Sequence, residues 1–288
     1  MKELTVIRDL CDWLLKQKDT DFLVLGNSVD LRVIQKIMDV AGCITRLEKA
    51  SLPQGKLYLF SNTPKFFMKI VPTDIFSYDR IQVQYEWLCN LTSQRVNVLS
   101  LKDIGRVNST YAYLSFPYID PNLFNYFNTS DNYTKLCLAY SELGELLKKI
   151  HIHSKSLLDP SEFDLFIESI QKMSLENKEV NNIWKEISEE LILFKKDEFG
   201  KIHGDIYLGN TYKKDTMVLT DFLEWEYNFY MSDIVTILED IKTNYSKNKD
   251  ALITFFLKGY YSDNFDVSLF KRKQKFIEGI NQIIRDYT

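Results

Sequence analysis

Two acidic residues and one amide occur close together in a single stretch of the sequence, residues 201–233. Asn210 follows Asp205 by five positions, and Asp221 comes eleven positions later. The residues between Asn210 and Asp221 have the pattern of two short strands joined by a turn, and such a hairpin brings the three side chains together. Carboxylate and amide oxygens suit Mg²⁺, and a carboxylate can also accept a proton. The stretch therefore predicts phosphoryl transfer, in which Asp205 orients an acceptor hydroxyl and Asn210 and Asp221 bind the metal.

A lysine and a glutamate further upstream could complete such a site. Lys69 stands among apolar residues in a predicted strand over 65–71, and Glu86 stands in a predicted helix over 78–91. A lysine on the buried side of a strand needs an anionic partner, and Glu86 is a candidate. The alternatives stay open at this point: strand alternation would turn Lys69 towards water, and Glu86 would be an ordinary solvated helix residue.

Charge is unevenly distributed along the 288 residues, whose composition of 45% hydrophobic and 26% charged residues is typical of a globular protein. The net charge of −4 divides into +3 over residues 1–116 and −7 over residues 117–288. An acidic second part argues against a nucleic-acid partner and is compatible with a cationic substrate or a metal. An ordinary solvated acidic surface explains the same balance equally well.

The cysteines and the hydropathy pattern indicate a cytoplasmic protein without a membrane partner. The four cysteines, Cys11, Cys43, Cys89 and Cys137, are far apart and lack any zinc or redox spacing. No stretch approaches the roughly 20 apolar residues of a membrane span, and the first residues do not have the pattern of a signal peptide. The oligomeric state, monomer or dimer, stays open.

Hydrophobic periodicity predicts an α+β fold with two lobes. Residues 43–116 are expected to form a small antiparallel sheet with one helix, beginning with a three-stranded meander. The predicted strands are 44–50, 56–60, 65–71, 96–101 and 111–116, with the helix at 78–91. Two prolines at 117 and 121 interrupt the pattern. Residues 117–288 are then expected to form a larger, mostly helical lobe, with helices at 133–153, 163–173, 181–194, 232–242, 251–261 and 268–286.

Residues 1–42 form a separate segment in this division. Their apolar spacing predicts helices over 3–17 and 30–40, with a short strand over 22–25 between them. No motif with chemical potential occurs there. The segment is therefore expected to be a helical extension that packs on the first lobe.

Several motifs resemble those of the aminoglycoside phosphotransferase and choline kinase superfamily, the small-molecule relatives of protein kinases. HGDIYLGN at 203–210, followed by TDF at 220–222, is similar to the two catalytic motifs of that family. LGELLKKIH at 143–151 is similar to the helix that precedes its catalytic loop. Asp233 matches the acidic residue that closes its second motif. The resemblance covers about residues 43–260, and its catalytic motifs are the most specific part.

The resemblance implies a bilobal protein-kinase-like fold and an activity, with roles for particular residues. Asp205 would be the catalytic aspartate, Asn210 and Asp221 would be Mg²⁺ ligands, and the phosphate donor would be ATP or GTP. The remaining residues would bind the nucleotide: Lys69 and Glu86 as an ion pair on the α- and β-phosphates, Ser51 and Gly55 in the phosphate loop, and the Phe116 carbonyl and Tyr118 amide at the adenine.

The segment from Ser51 to Gly55, SLPQG, departs from the glycine- and serine-rich loop that the family has at this point. Only Ser51 and Gly55 could approach a phosphate closely. The departure is consistent with weaker ATP binding or with GTP as donor. It also supports an alternative function, in which the protein has a kinase-like fold but no catalytic activity and has a binding or structural role.

The acceptor is expected to be a small molecule with a hydroxyl group. A cationic acceptor, such as an aminoglycoside antibiotic, is the preferred interpretation. Phosphorylation of an antibiotic would make the protein a resistance factor. Choline or another amino alcohol, a sugar or another metabolite are alternatives. An aromatic cluster, Trp225, Tyr227, Phe229 and Tyr230, would either line the acceptor site or, preferably, pack in the core. His203 is expected to be structural, and His151 and His153 are expected to cap a helix end.

Overall fold

A computed structural model describes residues 21–26, 32, 44–49, 57–62, 65–106, 111–117, 133–155, 160–213, 215–262 and 265–287. Ser51, Gly55, Tyr118 and the predicted helices over 3–17 and 30–40 lie outside this set, apart from Arg32. The chain divides into a first unit, Met1–Asn90 with Leu99–Pro121, and a second unit, Leu91–Val98 with Asn122–Thr288. Two units agree with the predicted bilobal α+β fold, and the predicted boundaries at 42/43 and 116/117 stay predictions.

A six-stranded sheet in the first unit has the order β2-β1-β3-β4-β6-β5. The strands are β1 (Asp21–Gly26), β2 (Ile44–Lys49), β3 (Leu57–Asn62), β4 (Lys65–Pro72), β5 (Asp103–Arg106) and β6 (Tyr111–Phe116). The expected meander of β2, β3 and β4 is wrong, because β1 lies between β2 and β3 and runs parallel to β2. Parallel neighbours need a connection of about a dozen residues or more, and residues 27–43 are long enough to supply it.

β4 and helix α1 (Tyr78–Ser93) contribute buried faces to the first unit. Ile70 and Val71 on β4 are completely buried. On α1, Ile81, Trp87 and Leu88 are buried at helical spacing. The helix begins where the Ser77 hydroxyl accepts a hydrogen bond from the Arg80 amide, as an N-cap does. Both elements confirm the predicted strand and helix.

The strand predicted over 96–101 is wrong. Val98 instead forms an isolated parallel bridge with Leu219, inside the second unit, and the regular strand β5 begins later at Asp103. Val96, Val98, Leu99 and Leu101 are all buried. Their apolar character therefore reflects burial of an irregular segment, which alternation alone does not distinguish from a strand.

Six helices and two small sheets are described in the second unit. The helices are α2 (Tyr133–Ser154), α3 (Pro160–Glu176), α4 (Lys178–Ile187), α5 (Tyr230–Asn244), α6 (Lys249–Tyr261) and α7 (Val267–Tyr287). β7 (Phe199–Ile202) pairs with β10 (Glu226–Phe229), and β8 (Thr211–Lys213) pairs with β9 (Met217–Leu219). The helices predicted for this region are confirmed within a few residues, except that the helix expected over 181–194 ends at Ile187 and continues as a 3₁₀ helix, Ser188–Leu193.

Aromatic side chains fix β7 and β10, the strands on either side of the predicted catalytic motifs. The Phe199 and Phe229 rings, both completely buried, meet edge to face at 5.5 Å. Three further rings surround this pair at 4.5–5.9 Å: Phe163 of α3, Phe194 just after the 3₁₀ helix, and Phe276 of α7. Burial of such rings contributes strongly to stability, so the residues that follow β7 start from a rigid position.

Glycines allow α2 and α6 to approach each other closely. A Cβ atom on Gly144 of α2 would lie 2.4 Å from the Phe256 carbonyl oxygen, and one on Gly259 of α6 would lie 2.1 Å from the Ser141 carbonyl oxygen. These distances are shorter than any ordinary contact, so a side chain at either position would force the two helix backbones apart. No helix among the described residues is long and apolar enough to cross a membrane.

We expect Gly144→Ala to lower the free energy of unfolding by about 1–3 kcal/mol, because the added methyl group overpacks the α2–α6 contact. In an uncrowded helix interior the same change would stabilise the protein by about 1 kcal/mol. Urea denaturation of the variant and of the exposed control Leu138→Ala, on the same helix, measures the effect. A stabilised Gly144→Ala protein would contradict the close packing.

Candidate active site

The loop that follows β7 is held in a conformation that requires glycine. Gly204 has a φ of +82°, and a Cβ atom there would lie 2.2 Å from the Glu224 carbonyl oxygen. Any other residue would be strained by the backbone angle and would collide with the turn after β9. The loop containing Asp205 and the turn that contains Asp221 are therefore packed backbone against backbone.

The Asn210 side chain holds Asp205 in place. Its Nδ2 atom donates hydrogen bonds to the Asp205 carbonyl oxygen at 2.7 Å and to the Asp205 Oδ2 atom at 3.1 Å. Asn210 is only 7% exposed and ends a short 3₁₀ turn, Leu208–Asn210, while Asp205 is half-buried. One amide therefore fixes both the backbone and the carboxylate of Asp205.

Thr220 connects Asn210 to Asp221. The β8–β9 hairpin returns the chain so that the Thr220 amide and hydroxyl both donate to the Asn210 carbonyl oxygen, at 2.8 and 2.9 Å. Asp221 follows directly and has a φ of +60°, in the left-handed region that few residues other than glycine adopt. The structure thus brings Asp205, Asn210 and Asp221 to one loop cluster, as their spacing predicts.

The donor set at this cluster fits a hard divalent cation. Because the Asn210 amide donates through Nδ2, its Oδ1 atom is left to act as a ligand, and no hydrogen bond to that atom occurs among the described residues. Asp221, which follows Thr220, is half-buried and adds a carboxylate to the same loop cluster. Within the described ranges no three His, Cys, Asp or Glu side chains group as a metal site. An amide and a carboxylate with water completing the shell is the kind of coordination that Mg²⁺ accepts.

His203 has the structural role expected from the sequence. It is completely buried, and its Nε2 atom donates to the Thr220 carbonyl oxygen at 2.7 Å. Its Nδ1 atom accepts a hydrogen bond from the Asp205 amide at 3.3 Å. With one ring nitrogen donating and the other accepting, the ring ties the two loops together.

The Asp233 carboxylate, on α5, anchors the backbone of the loop that follows β7. Its Oδ2 atom accepts the His203 amide at 2.9 Å, and its Oδ1 atom accepts the Gly204 amide at 3.0 Å. His151 of α2 donates a third hydrogen bond through Nε2 at 3.1 Å. Burial raises the pKa of Asp233, but the His151 hydrogen bond and the backbone donors outweigh burial and lower it overall. Sequence reasoning identified Asp233 as a motif residue without predicting this anchoring contact.

His151 does not cap the end of α2, so that prediction is wrong. The side chain is 2% exposed, its ring stacks on Tyr230 at 4.4 Å, and its Nδ1 atom lies 2.7 Å from the Tyr260 hydroxyl. Burial lowers the pKa of His151 below its ordinary value, although the contact with Asp233 opposes this. A position one turn before the end of a helix does not reveal that the side chain points inward.

Lys69 and Glu86 are not paired in the structure. Lys69 is 3% exposed, whereas Glu86 lies on the exposed face of α1, and no ion pair joins them among the described residues. The physical reason is that α1 turns Ile81, Trp87 and Leu88 inward, and Glu86 lies off that stripe. The nucleotide-binding roles of both residues stay predictions.

Phe116 ends β6, where its Cα pairs with Phe67 of β4, and its side chain is 5% exposed.

The aromatic cluster after Asp221 packs mainly in the core, as preferred from the sequence: Trp225, Phe229 and Tyr230 are buried. Trp225 and Tyr227 also face the Lys201 ammonium, at 5.5 and 5.7 Å from their ring centres.

Comparison with solved structures identifies the fold. An amicoumacin kinase in complex with AMP-PNP, Ca²⁺ and Ami matches with a TM-score of 0.56 and 15% identity, over 81% of this chain and 78% of that one. An aminoglycoside-3'-phosphotransferase of type VIII matches with a TM-score of 0.54 and 13% identity, over 82% and 91%. The chain has the fold of these kinases. A choline/ethanolamine kinase family protein from Mesorhizobium loti matches with a TM-score of 0.54 and 11% identity, over 82% and 76%. No protein-family model and no curated protein matches the chain.

The lowered pKa of His151 predicts a pH-dependent stability. The unfolded state protonates this histidine near its ordinary pKa of 6.5, and the folded state protonates it only at lower pH. The unfolded state therefore binds more protons as the pH falls, and the free energy of unfolding decreases between about pH 7.5 and 5.5. Urea denaturation across this range should show a smaller decrease for His151→Gln than for the parent protein.

His153→Gln, on the same helix end, is the matched control for this measurement. It should retain most of the decrease seen in the parent protein. Equal slopes for the parent and His151→Gln would show that burial of His151 does not cause the pH dependence.

Proposed function

We propose that this protein transfers the terminal phosphoryl group of ATP or GTP to a hydroxyl group of a small molecule. The observation that supports it best is the double hydrogen bond from the Asn210 amide to Asp205, with Asp221 two residues beyond the hairpin strand β9. A fixed carboxylate beside a hard-cation donor set is the arrangement that phosphoryl transfer needs. The likeness in fold to kinases of small molecules is consistent with it.

Asp205 is the proposed catalytic residue. Its carboxylate would orient the acceptor hydroxyl and take up its proton while the new bond from oxygen to phosphorus forms. The bond to the leaving diphosphate breaks in the same step. Because Asn210 fixes the Oδ2 atom and the backbone of Asp205, the carboxylate needs no reorganisation when the acceptor arrives.

Asn210 and Asp221 are the proposed ligands of Mg²⁺, which when bound supplies positive charge to the phosphate oxygens. Lys69 is proposed to contact the α- and β-phosphates, as the motif resemblance implies. Glu86, Ser51, Gly55, the Phe116 carbonyl and the Tyr118 amide keep the nucleotide-binding roles that the motif resemblance implies. In this interpretation the Phe116 carbonyl and the Tyr118 amide contact the base of the nucleotide, so the preference for ATP or GTP is determined there.

A second carboxylate, whose charge interacts with that of Asp205, supports a cationic acceptor. Asp240, on α5, accepts hydrogen bonds from the Tyr140 hydroxyl at 3.2 Å and from the Asn244 amide at 2.7 Å. Burial raises the pKa of Asp240, and the negative charge of Asp205 raises it further. Two carboxylates that repel each other are both stabilised by a positive group nearby. An ammonium group of the acceptor, as in an aminoglycoside or an amino alcohol, would provide it.

Asp205→Ala should lower kcat by about 10²- to 10⁴-fold, because the general base is lost. Binding of ATP or GTP with Mg²⁺, measured by thermal shift, should persist. Activity is first found with a nucleotide-consumption screen of aminoglycosides, amino alcohols and sugars. Asp215→Ala, an exposed carboxylate on the same hairpin, is the control and should keep full activity. If neither nucleotide shifts the melting temperature of the parent protein, the non-catalytic alternative is favoured.

Asp240→Asn should raise KM for a cationic acceptor by about 10-fold or more, as expected when a charged partner is lost. KM for the nucleotide should stay constant, and an uncharged acceptor should lose little. The control is Glu239→Gln, an exposed neighbour on α5. Equal losses for charged and uncharged acceptors would contradict the role of Asp240 in binding a cation.

A further inference from the structure

A cavity of about 340 Å³ lies in the second unit, and His151 contributes to its lining. It is open on one side and is lined by residues of α2, the segment from Phe194 to Glu198, and parts of α5, α6 and α7. None of the residues proposed for catalysis or metal binding contributes to its lining. The volume is at the lower end of the range for small-molecule sites, and is large enough for a ligand with one or two rings.

The cavity wall is mainly aromatic and aliphatic. The stacked rings of His151 and Tyr230 form one side, with Tyr260 and Tyr261 adjacent, and Met231 and Ile234 complete the apolar surface. Tyr230 is 5% exposed, and its hydroxyl has no hydrogen-bond partner among the described residues. That hydroxyl lies against Gly200 and is shielded, so the ring of Tyr230 is the part that can face the cavity.

Charged residues at the mouth leave one cation without a carboxylate partner. Lys155 pairs with Asp197 at 3.2 Å, and Lys273 pairs with Glu198 at 2.6 Å. The Lys148 ammonium has only the Ser262 hydroxyl, at 3.3 Å, and no carboxylate is within ion-pair distance of it in the described part of the chain. Lys148 is therefore the group at the mouth that is available to an anion.

A neighbouring depression extends the positive surface around Lys148. It shares Lys148 and Ile152 with the cavity and adds Lys149 and Lys258, against one acid, Glu145. This local excess of lysines contrasts with the net charge of −7 over residues 117–288. Ile152, between the two, is 51% exposed. The surface therefore combines an apolar entrance with positive potential, and would attract an amphipathic anion.

We propose that this cavity binds a small aromatic carboxylic acid, with its rings against His151 and Tyr230 and its carboxylate at Lys148. The class of ligand follows from the wall and the mouth: flat apolar surfaces favour rings, and a lysine that lacks a carboxylate partner favours an anion. The ligand is distinct from both the nucleotide and the acceptor, because the cavity lies outside the loops around Asp205 and Asp221.

Binding there is coupled to the catalytic loop through His151. The His151 side chain contributes to the cavity lining, and its Nε2 atom holds Asp233, which in turn holds the His203 and Gly204 amides. A ligand that packs on the ring stabilises this chain of hydrogen bonds and slows exchange of the two amide protons. Any effect on turnover rests on the proposed function, whereas binding and amide exchange do not.

The probe is 2-naphthoate, measured by isothermal titration calorimetry on the full chain. The uncharged 2-naphthylmethanol and the cationic 2-naphthylmethylamine have the same rings and serve as controls. We expect binding of naphthoate at least about tenfold tighter than binding of either control, as a charge-assisted contact implies. No naphthoate binding at millimolar concentration, or equal binding of the amine, would overturn the proposal.

Three variants locate the site. Lys148→Gln should weaken naphthoate binding about tenfold, and Ile152→Trp, a surface change at the mouth, should weaken it by obstruction. Lys172→Gln, an exposed lysine on α3, should leave it unchanged. Equal affinities for Lys148→Gln and the parent protein would place the probe elsewhere and refute the assignment.

Hydrogen exchange tests the coupling independently of any activity. Saturating naphthoate should slow exchange of the His203 and Gly204 amides in the parent protein and not in Lys148→Gln. Unchanged exchange despite binding would refute the coupling. Because neither readout uses turnover, a failed kinase assay and a failed cavity assay give separate answers.

Discussion

The buried Asp233 carboxylate is the interaction on which the rest of the second unit depends. Its negative charge is completely removed from water and is satisfied by two backbone amides and the His151 ring. A buried ion that keeps all its donors is tolerated, whereas one that loses them is strongly destabilising. The positions of α2, α5 and the loop after β7 are therefore mutually dependent, since each contributes one part of the same hydrogen-bonded group.

Local features of the site could be predicted from the sequence. The β8–β9 hairpin, the proximity of Asp205, Asn210 and Asp221, and the structural role of His203 all follow from residues close together in the chain. Helix bounds were predictable for the same reason, because the apolar period is a local signal. The preference for core packing of the aromatic cluster also held, since three of its four members are buried.

Features that depend on distant residues could not be predicted. The position of β1 between β2 and β3 depends on which strands pair with each other. The alternation of apolar and polar residues within one strand does not show which strand is its neighbour. The inward direction of His151 depends on Asp233 and Tyr260, which are 82 and 109 residues away. The absence of a Lys69–Glu86 pair has a similar cause. The buried residues Ile81, Trp87 and Leu88 determine which face of α1 points inward, and a single charged residue does not change that orientation.

The backbone angle of Asp221 has a consequence for how this protein could change. Glycine would remove the strain at a φ of +60°, and would thereby favour the folded state. Aspartate at this position therefore lowers stability in exchange for a negative charge beside Asn210. Selection for heat resistance alone would move the position towards glycine, and selection that needs the charge would move it back.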